Sequence, residues 1–179
     1  GHELTAAAER LTQRFETLMT EKPSFKRRFL LTTRPCGHAD VLEEKARRDV
    51  QRVASEEGYV LISPDVPAKA EKWWQKLAVL GRLVLEWGRL FFKLHHGDLL
   101  LVQYPWHPAK AAPIARWALH FLQWKGAKTA AFIHDLDSLQ VLGNDAARWS
   151  DQELLIRFDR IIVQNTRMAD YLVGQGVRE

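Results

Sequence analysis

Apolar positions along this chain change period repeatedly, and each change marks an element. Between residues 4 and 19, Leu4, Ala7, Ala8, Leu11, Phe15, Leu18 and Met19 recur at helical spacing, which predicts an amphipathic leader helix closed by Lys22-Pro23. After the basic cluster Lys26-Arg27-Arg28 the pattern becomes a short apolar run from Phe29 to Thr33, with the length and composition of a strand. Comparable runs return at Tyr59–Ser63, Asp98–Val102, Thr129–Ile133 and Asp159–Gln164. Helical patterns fill the intervals. Asp40 and Glu43 form a capping box for a helix with Leu42, Ala46, Val50, Val53 and Ala54 on its inward face, and Gly58 stands where a left-handed closing residue is favoured. A long helical excursion spans 68–95, and a further helix spans 109–125 and stops at Gly126. Ser150 and Glu153 open a short helix, and Asn165 or Thr166 caps a last one that Gly174 closes.

Five strands alternating with helices predict a doubly wound α/β domain with right-handed crossovers. Strands that are apolar throughout are buried on both faces, so the sheet is expected to be parallel and flanked by helices. Ligands of such sheets gather at the carboxyl ends of the strands. The third and fourth strands run there into Gln103-Tyr104-Pro105-Trp106 and His134-Asp135, which makes these residues the first candidates for function.

Composition narrows the class. The 179 residues suffice for one substantial core, and a content of 46% hydrophobic and 27% charged residues excludes a disordered chain. A net charge of +4 without an arginine-rich tract does not indicate nucleic acid. Cys36 is the only cysteine, which excludes an internal disulfide and a multi-cysteine metal site and agrees with a cytoplasmic origin. Charges interrupt every apolar stretch well short of the roughly 20 residues of a spanning helix. The chain opens on Gly-His-Glu, read as a tag remnant, and stops after a helix where a βα series calls for another strand. The expected division is a tag remnant and leader helix over 1–24, then a Rossmann-like domain over 25–179 belonging to a longer protein.

Few constellations carry chemistry. The loop from Arg34 to His38 follows the first strand, where a helix dipole and backbone N–H groups can receive an anion. Gly37 either makes that turn or lets a ligand approach closely, with His38 beside it. One glycine is no GxGxxG fingerprint, and no acid ends the second strand, so a dinucleotide site is not expected. His134 can donate to a sugar hydroxyl or move a proton, and Asp135 either orients it or caps the following turn. No HExxH pair, comparable ligand spacing or GxSxG elbow occurs, so neither a metal site nor a serine nucleophile is expected. The excursion over 68–95 carries Trp73, Trp74, Trp87, Phe91 and Phe92 among Lys72, Lys76, Arg82, Arg89 and Lys93. It reads as a buried crossover helix with a basic outer edge, and as an alternative an interfacial membrane helix.

Three segments taken together resemble one family: His-Gly-Asp-Leu-Leu-Leu-Val-Gln-Tyr-Pro-Trp from His96, Ala-Ala-Phe-Ile-His-Asp-Leu-Asp-Ser-Leu from Ala130, and Phe-Asp-Arg-Ile-Ile-Val-Gln-Asn-Thr-Arg-Met-Ala-Asp-Tyr-Leu-Val-Gly-Gln-Gly-Val from Phe158. They are similar to the amino-terminal half of bacterial GT-B glycosyltransferases of the glucosyl- and galactofuranosyltransferase-like group. The similarity spans roughly residues 28–177 and leaves the leader helix and the Trp-rich excursion unmatched. It implies strand order 2-1-3-4-5 and an acceptor-side domain facing a carboxyl-terminal domain that holds most of a nucleotide-sugar donor such as a UDP-sugar. It implies transfer of a hexosyl group to a glycan, glycolipid or glycoprotein in polysaccharide biosynthesis, metal-independent and without a resident cofactor, with retention favoured. By the same resemblance His134 lies near the anomeric centre of the transferred sugar. Gly37, His38, Gln103, Tyr104, Trp106, Asp135 and Asn165 are then the expected substrate contacts, with Tyr104 and Trp106 as stacking faces and Gln103 bonding hydroxyls. The expected partners are the donor, a glycan or lipid-linked acceptor, the inner face of a membrane touched peripherally, and a second copy of the chain, with no nucleic acid. Two other classes compete: a free-standing flavodoxin-like nucleotide-binding module, and a non-catalytic interaction domain docking through its leader and Trp-rich helices.

Overall fold

A computed structural model describes residues 25–32, 41–63, 72–104, 112–134, 153–174 and 176. The leader helix, the Asp40 and Ser150 caps and the loop positions Gly37, His38, Trp106 and Asp135 lie outside the described residues. Five strands form one sheet: β1 (Arg28–Leu31), β2 (Val60–Ile62), β3 (Leu99–Tyr104), β4 (Lys128–Ile133) and β5 (Arg160–Val163). All pairings are parallel and the order is β2-β1-β3-β4-β5, as expected. The helices are α1 (Val41–Glu56), α2 (Trp73–Lys93), α3 (Ala112–Trp124) and α4 (Thr166–Gly174).

Strand alternation divides the core in two. Leu30, Leu101, Ala130 and Phe132 point to one side, where Ala54 of α1 and Tyr59 cover them. Phe29, Leu31, Leu100, Val102, Ala131 and Ile133 point to the other, against Leu83, Trp87 and Leu90 of α2, Leu119 and Leu122 of α3, and Met168 and Leu172 of α4. The split follows from handedness. The chain moves one way from β1 to β2 and the opposite way from β2 to β3 and β3 to β4. Right-handed crossovers therefore set α1 on one face and α2 with α3 on the other. Each fully buried leucine contributes about 2 kcal/mol through this arrangement.

Strand ends differ from expectation in one way that matters. β3 runs on past Val102 through Gln103 to Tyr104, pairing Gln103 with Phe132 and Tyr104 with Ile133. A polar residue in a buried strand was read as the start of a loop. Here its amide is satisfied inside the protein, so the ladder continues.

Glycines close α1 and α3 as predicted, with Gly58 at φ 77° and Gly126 at φ 87°. The last helix differs: Gly174 stays helical, and Gly176 takes the left-handed conformation at φ 80° while donating its N–H to the Val173 carbonyl at 2.9 Å. Gly126 is the most constrained of these turns, because a Cβ there would run into the His96 ring, whereas one at Gly58 would meet open space. Gly126→Ala should therefore destabilise the domain by about 1–3 kcal/mol, and Gly58→Ala by less. The urea midpoints of the two variants check this.

α2 departs from the expected buried crossover with a basic edge. Its inward stripe is Leu83, Trp87 and Leu90, continued by Leu94, while Trp73, Trp74, Leu77, Leu80, Val84, Leu85 and Phe92 are exposed. Among the described residues no helix is long and apolar enough to cross a membrane.

Candidate functional site

The register of the sheet builds a row of polar side chains at its carboxyl edge. Leu31 pairs with Val102, so Thr32 and Gln103 fall side by side. Ile133 pairs with Val163, so His134 and Gln164 do the same. The backbone keeps the ladder going past the strand ends, with Thr32 N–H donating to Ile62 at 2.9 Å and His134 N–H to Tyr104 at 2.9 Å. Alternation then sends Gln103 and His134 to the α1 side, and Tyr104 to the α2–α3 side.

β1 and β3 are the neighbours between which the winding reverses, and this is where a crevice opens in such sheets. At this junction a hydrogen-bonded chain ties the strands to α1. Gln51 Nε2 of α1 donates to Thr32 Oγ1 at 2.6 Å, and the hydroxyl donates onward to Gln103 Oε1 at 2.6 Å. Gln103 Nε2 donates to the Arg47 carbonyl at 3.2 Å. Gln103 is 0% exposed, and both ends of its amide are engaged within the protein. It ties β1, β3 and α1 together at the carboxyl edge of the sheet.

His134 is 7% exposed at the end of β4. Its ring leans on Phe132, with centroids 4.9 Å apart, and Gln164 Nε2 lies 3.4 Å from Nδ1. Burial, with the positive charge of Arg47 as a second cause, pushes its pKa down to about 3, so the ring is neutral at physiological pH. An amide N–H on Nδ1 leaves the ring proton on Nε2. Among the described residues that buried Nε2 has no hydrogen-bond partner. An unpaired buried donor is destabilising unless something else receives it, and such orphans concentrate where ligands bind.

The other expected residues are placed differently. Tyr104 packs in the core with the α2 and α3 side chains, which removes its ring as an open stacking face. Asn165 lies exposed at the end of β5, and its Oδ1 accepts the Met168 N–H at 2.8 Å, capping α4. Arg47 was missed. It is buried on α1 beside His134, and its position three and seven residues before Val50 and Ala54 puts it on their inward stripe. Read as a charge it looked like solvated surface. Gln164 and Thr32 could have been found as the polar residues standing level with His134 and Gln103 once the register is known. Among the described residues, no three His, Cys, Asp or Glu side chains are grouped to hold a metal ion.

A parallel doubly wound sheet of order β2-β1-β3-β4-β5, flanked by helices, defines a Rossmann-like domain. The sequence model of the glucosyltransferase 3-like N-terminal domain family matches residues 33–179, and the chain belongs to that family. No curated protein matches it. The family match carries the glucosyltransferase-like assignment for the region containing β2 to β5 and all four helices, and leaves residues 1–32 outside.

Proposed function

We propose that this chain is the acceptor-side domain of a GT-B hexosyltransferase whose donor, a nucleotide sugar of the UDP type, is held mainly by a second domain. The observation that carries this reading is the unpartnered Nε2–H of His134 at the carboxyl edge of a glucosyltransferase-family domain. In such a transfer the bond from the anomeric carbon to the phosphate oxygen breaks and a bond to an acceptor hydroxyl forms. The nucleoside diphosphate leaves with the bond electrons, and the acceptor's hydroxyl proton passes to that departing diphosphate. A ring with a pKa near 3 is a poor base at neutral pH, so His134 serves as a fixed hydrogen-bond donor to the transferred sugar. Held rigidly by Phe132 and Gln164, it needs no reorganisation as charge develops. Gln103 and Thr32 support the carboxyl edge of the sheet, and the Gly37–His38 loop, Trp106 and Asp135 are the proposed walls of the site. Closure of the two domains would exclude water from the donor.

Product release tests the proposal. The full-length protein should liberate UDP from UDP-glucose or UDP-galactose when an acceptor glycan is supplied, and the 179-residue chain should liberate none. Sustained UDP release by the chain alone would overturn the half-enzyme reading.

A further inference from the structure

Ten of the fourteen large apolar side chains exposed among the described residues lie on α2 and α3. They are not scattered. Trp73, Leu77, Leu85 and Phe92 stand on the outer side of α2, and Trp117 and Trp124 on that of α3, with Trp73 72% exposed and Phe92 and Trp124 each 77%. The two helices lie side by side on one face of the sheet. Lys125, just past α3, donates to the Phe91 carbonyl at 2.6 Å and sits 4.7 Å from the centre of the Phe91 ring. A helix that is apolar nearly all round is ordinarily buried, and α2 is covered on one stripe only.

Cations predominate on these two helices, with Arg116 of α3 paired to Glu153 at 2.9 Å. Residues 72–93 and 112–125 contain seven lysines and arginines against one glutamate. That glutamate, Glu86, is bonded to Arg89 on the next turn. We propose that the outer face of α2 and α3 is a docking surface for an anionic lipid bilayer, with both helices lying in the headgroup plane. Charge complementarity selects this occupant, since cationic residues beside an apolar stripe gain from negative headgroups. Exposed tryptophans suit the same boundary, where the indole body meets acyl chains and its N–H stays in the polar layer. A symmetric contact with a second copy would instead set the cationic patch against itself. His134 points to the α1 side of the sheet, so a bilayer on the α2–α3 face leaves the carboxyl-edge site free, and the inference stands independently of the transferase reading.

Sedimentation of the whole chain with vesicles tests it, using phosphatidylcholine alone and phosphatidylcholine with phosphatidylglycerol in equal parts. Binding should be at least about tenfold stronger to the anionic vesicles, and should be lost in about 1 M salt, where the screening length falls to about 3 Å. Phe92→Ala and Trp124→Ala should each weaken it about tenfold. The pair Arg89→Gln with Lys93→Gln should do the same, and Val173→Ala on α4 should leave it unchanged. Absent binding, equal binding to both vesicles, or binding untouched by Phe92→Ala and Trp124→Ala would overturn the proposal. So would concentration-dependent dimers that Phe92→Ala abolishes without any vesicle binding, because the face would then belong to a second copy.

Discussion

His134→Ala in the full-length enzyme should lower hexosyl transfer by about 10²-fold or more while the domain remains folded. The imidazole is the one buried side chain at the carboxyl edge whose donor finds no partner among the described residues. On the proposed reading its loss removes a donor to the transferred sugar, and with it the ring's contacts with Phe132 and Gln164. The loss should fall on kcat more than on KM, since a bond that strengthens in the transition state contributes little to ground-state binding. Steady-state kinetics at saturating donor would show it, and near-normal turnover would remove His134 from the site. Because the ring is already neutral, the rate should show no inflection near pH 6.5 from this residue. Stability, by contrast, should feel it. As pH falls below 6.5 the unfolded chain takes up a proton on His134 that the native state refuses until about pH 3. Native stability is therefore lost through that window, by about 1 kcal/mol per pH unit. His134→Asn should flatten this limb in urea titrations run at successive pH values.

The second large effect is expected at the opposite edge of the sheet. Asp98→Ala should cost about 2–3 kcal/mol, and should do so without touching the carboxyl-edge residues. The Asp98 side chain is 1% exposed and accepts three hydrogen bonds: from Arg27 Nη2 at 2.6 Å, from Arg27 Nε at 3.3 Å and from the His95 N–H at 2.8 Å. These join the start of β1 to the turn that launches β3, so the carboxylate fixes where the central pair of strands begins. Burial opposes its ionisation, but the Arg27 and His95 hydrogen bonds and the Arg27 charge outweigh it and hold the pKa below the ordinary aspartate value. Its contribution is thus fully present above about pH 4 and is lost as pH falls through the lower native value. Thermal melts of Asp98→Ala and Asp98→Asn should show the deficit at neutral pH. The acid limb below pH 4 should be shallower in both than in the unsubstituted chain.

Much of this architecture was legible in the residues, and the failures have physical causes. Alternating apolar runs and helical stripes gave five strands, their parallel arrangement and closing glycines at Gly58 and Gly126. The strand order came from the resemblance, not from periodicity. The end of β3 was misread because a polar residue within a buried strand is legible only once its partners are known. Thr32 and the Arg47 carbonyl come from 71 and 56 residues away. Arg47 was overlooked for a related reason: an arginine on an apolar stripe is usually a long stem reaching solvent. The Trp-rich helix was expected to be buried because it is apolar on most sides, and an apolar circumference cannot say which stripe faces the core. Only the placement of α3 beside α2 leaves its outer half uncovered. His134 was singled out by position alone, at the end of an apolar strand before an acid, while its neutral state and the direction of its proton depend on Gln164 and Arg47 from distant segments.

Calorimetric titration of UDP and UDP-glucose into the 179-residue chain, and into the full-length protein beside it, tests the central claim most directly. An acceptor-side half predicts absent or millimolar binding by the chain and binding at least about 10²-fold tighter by the whole protein. Tight binding of bare UDP by the chain alone would make it a complete nucleotide site, akin to the flavodoxin-like modules that share its strand order, and would contradict the account.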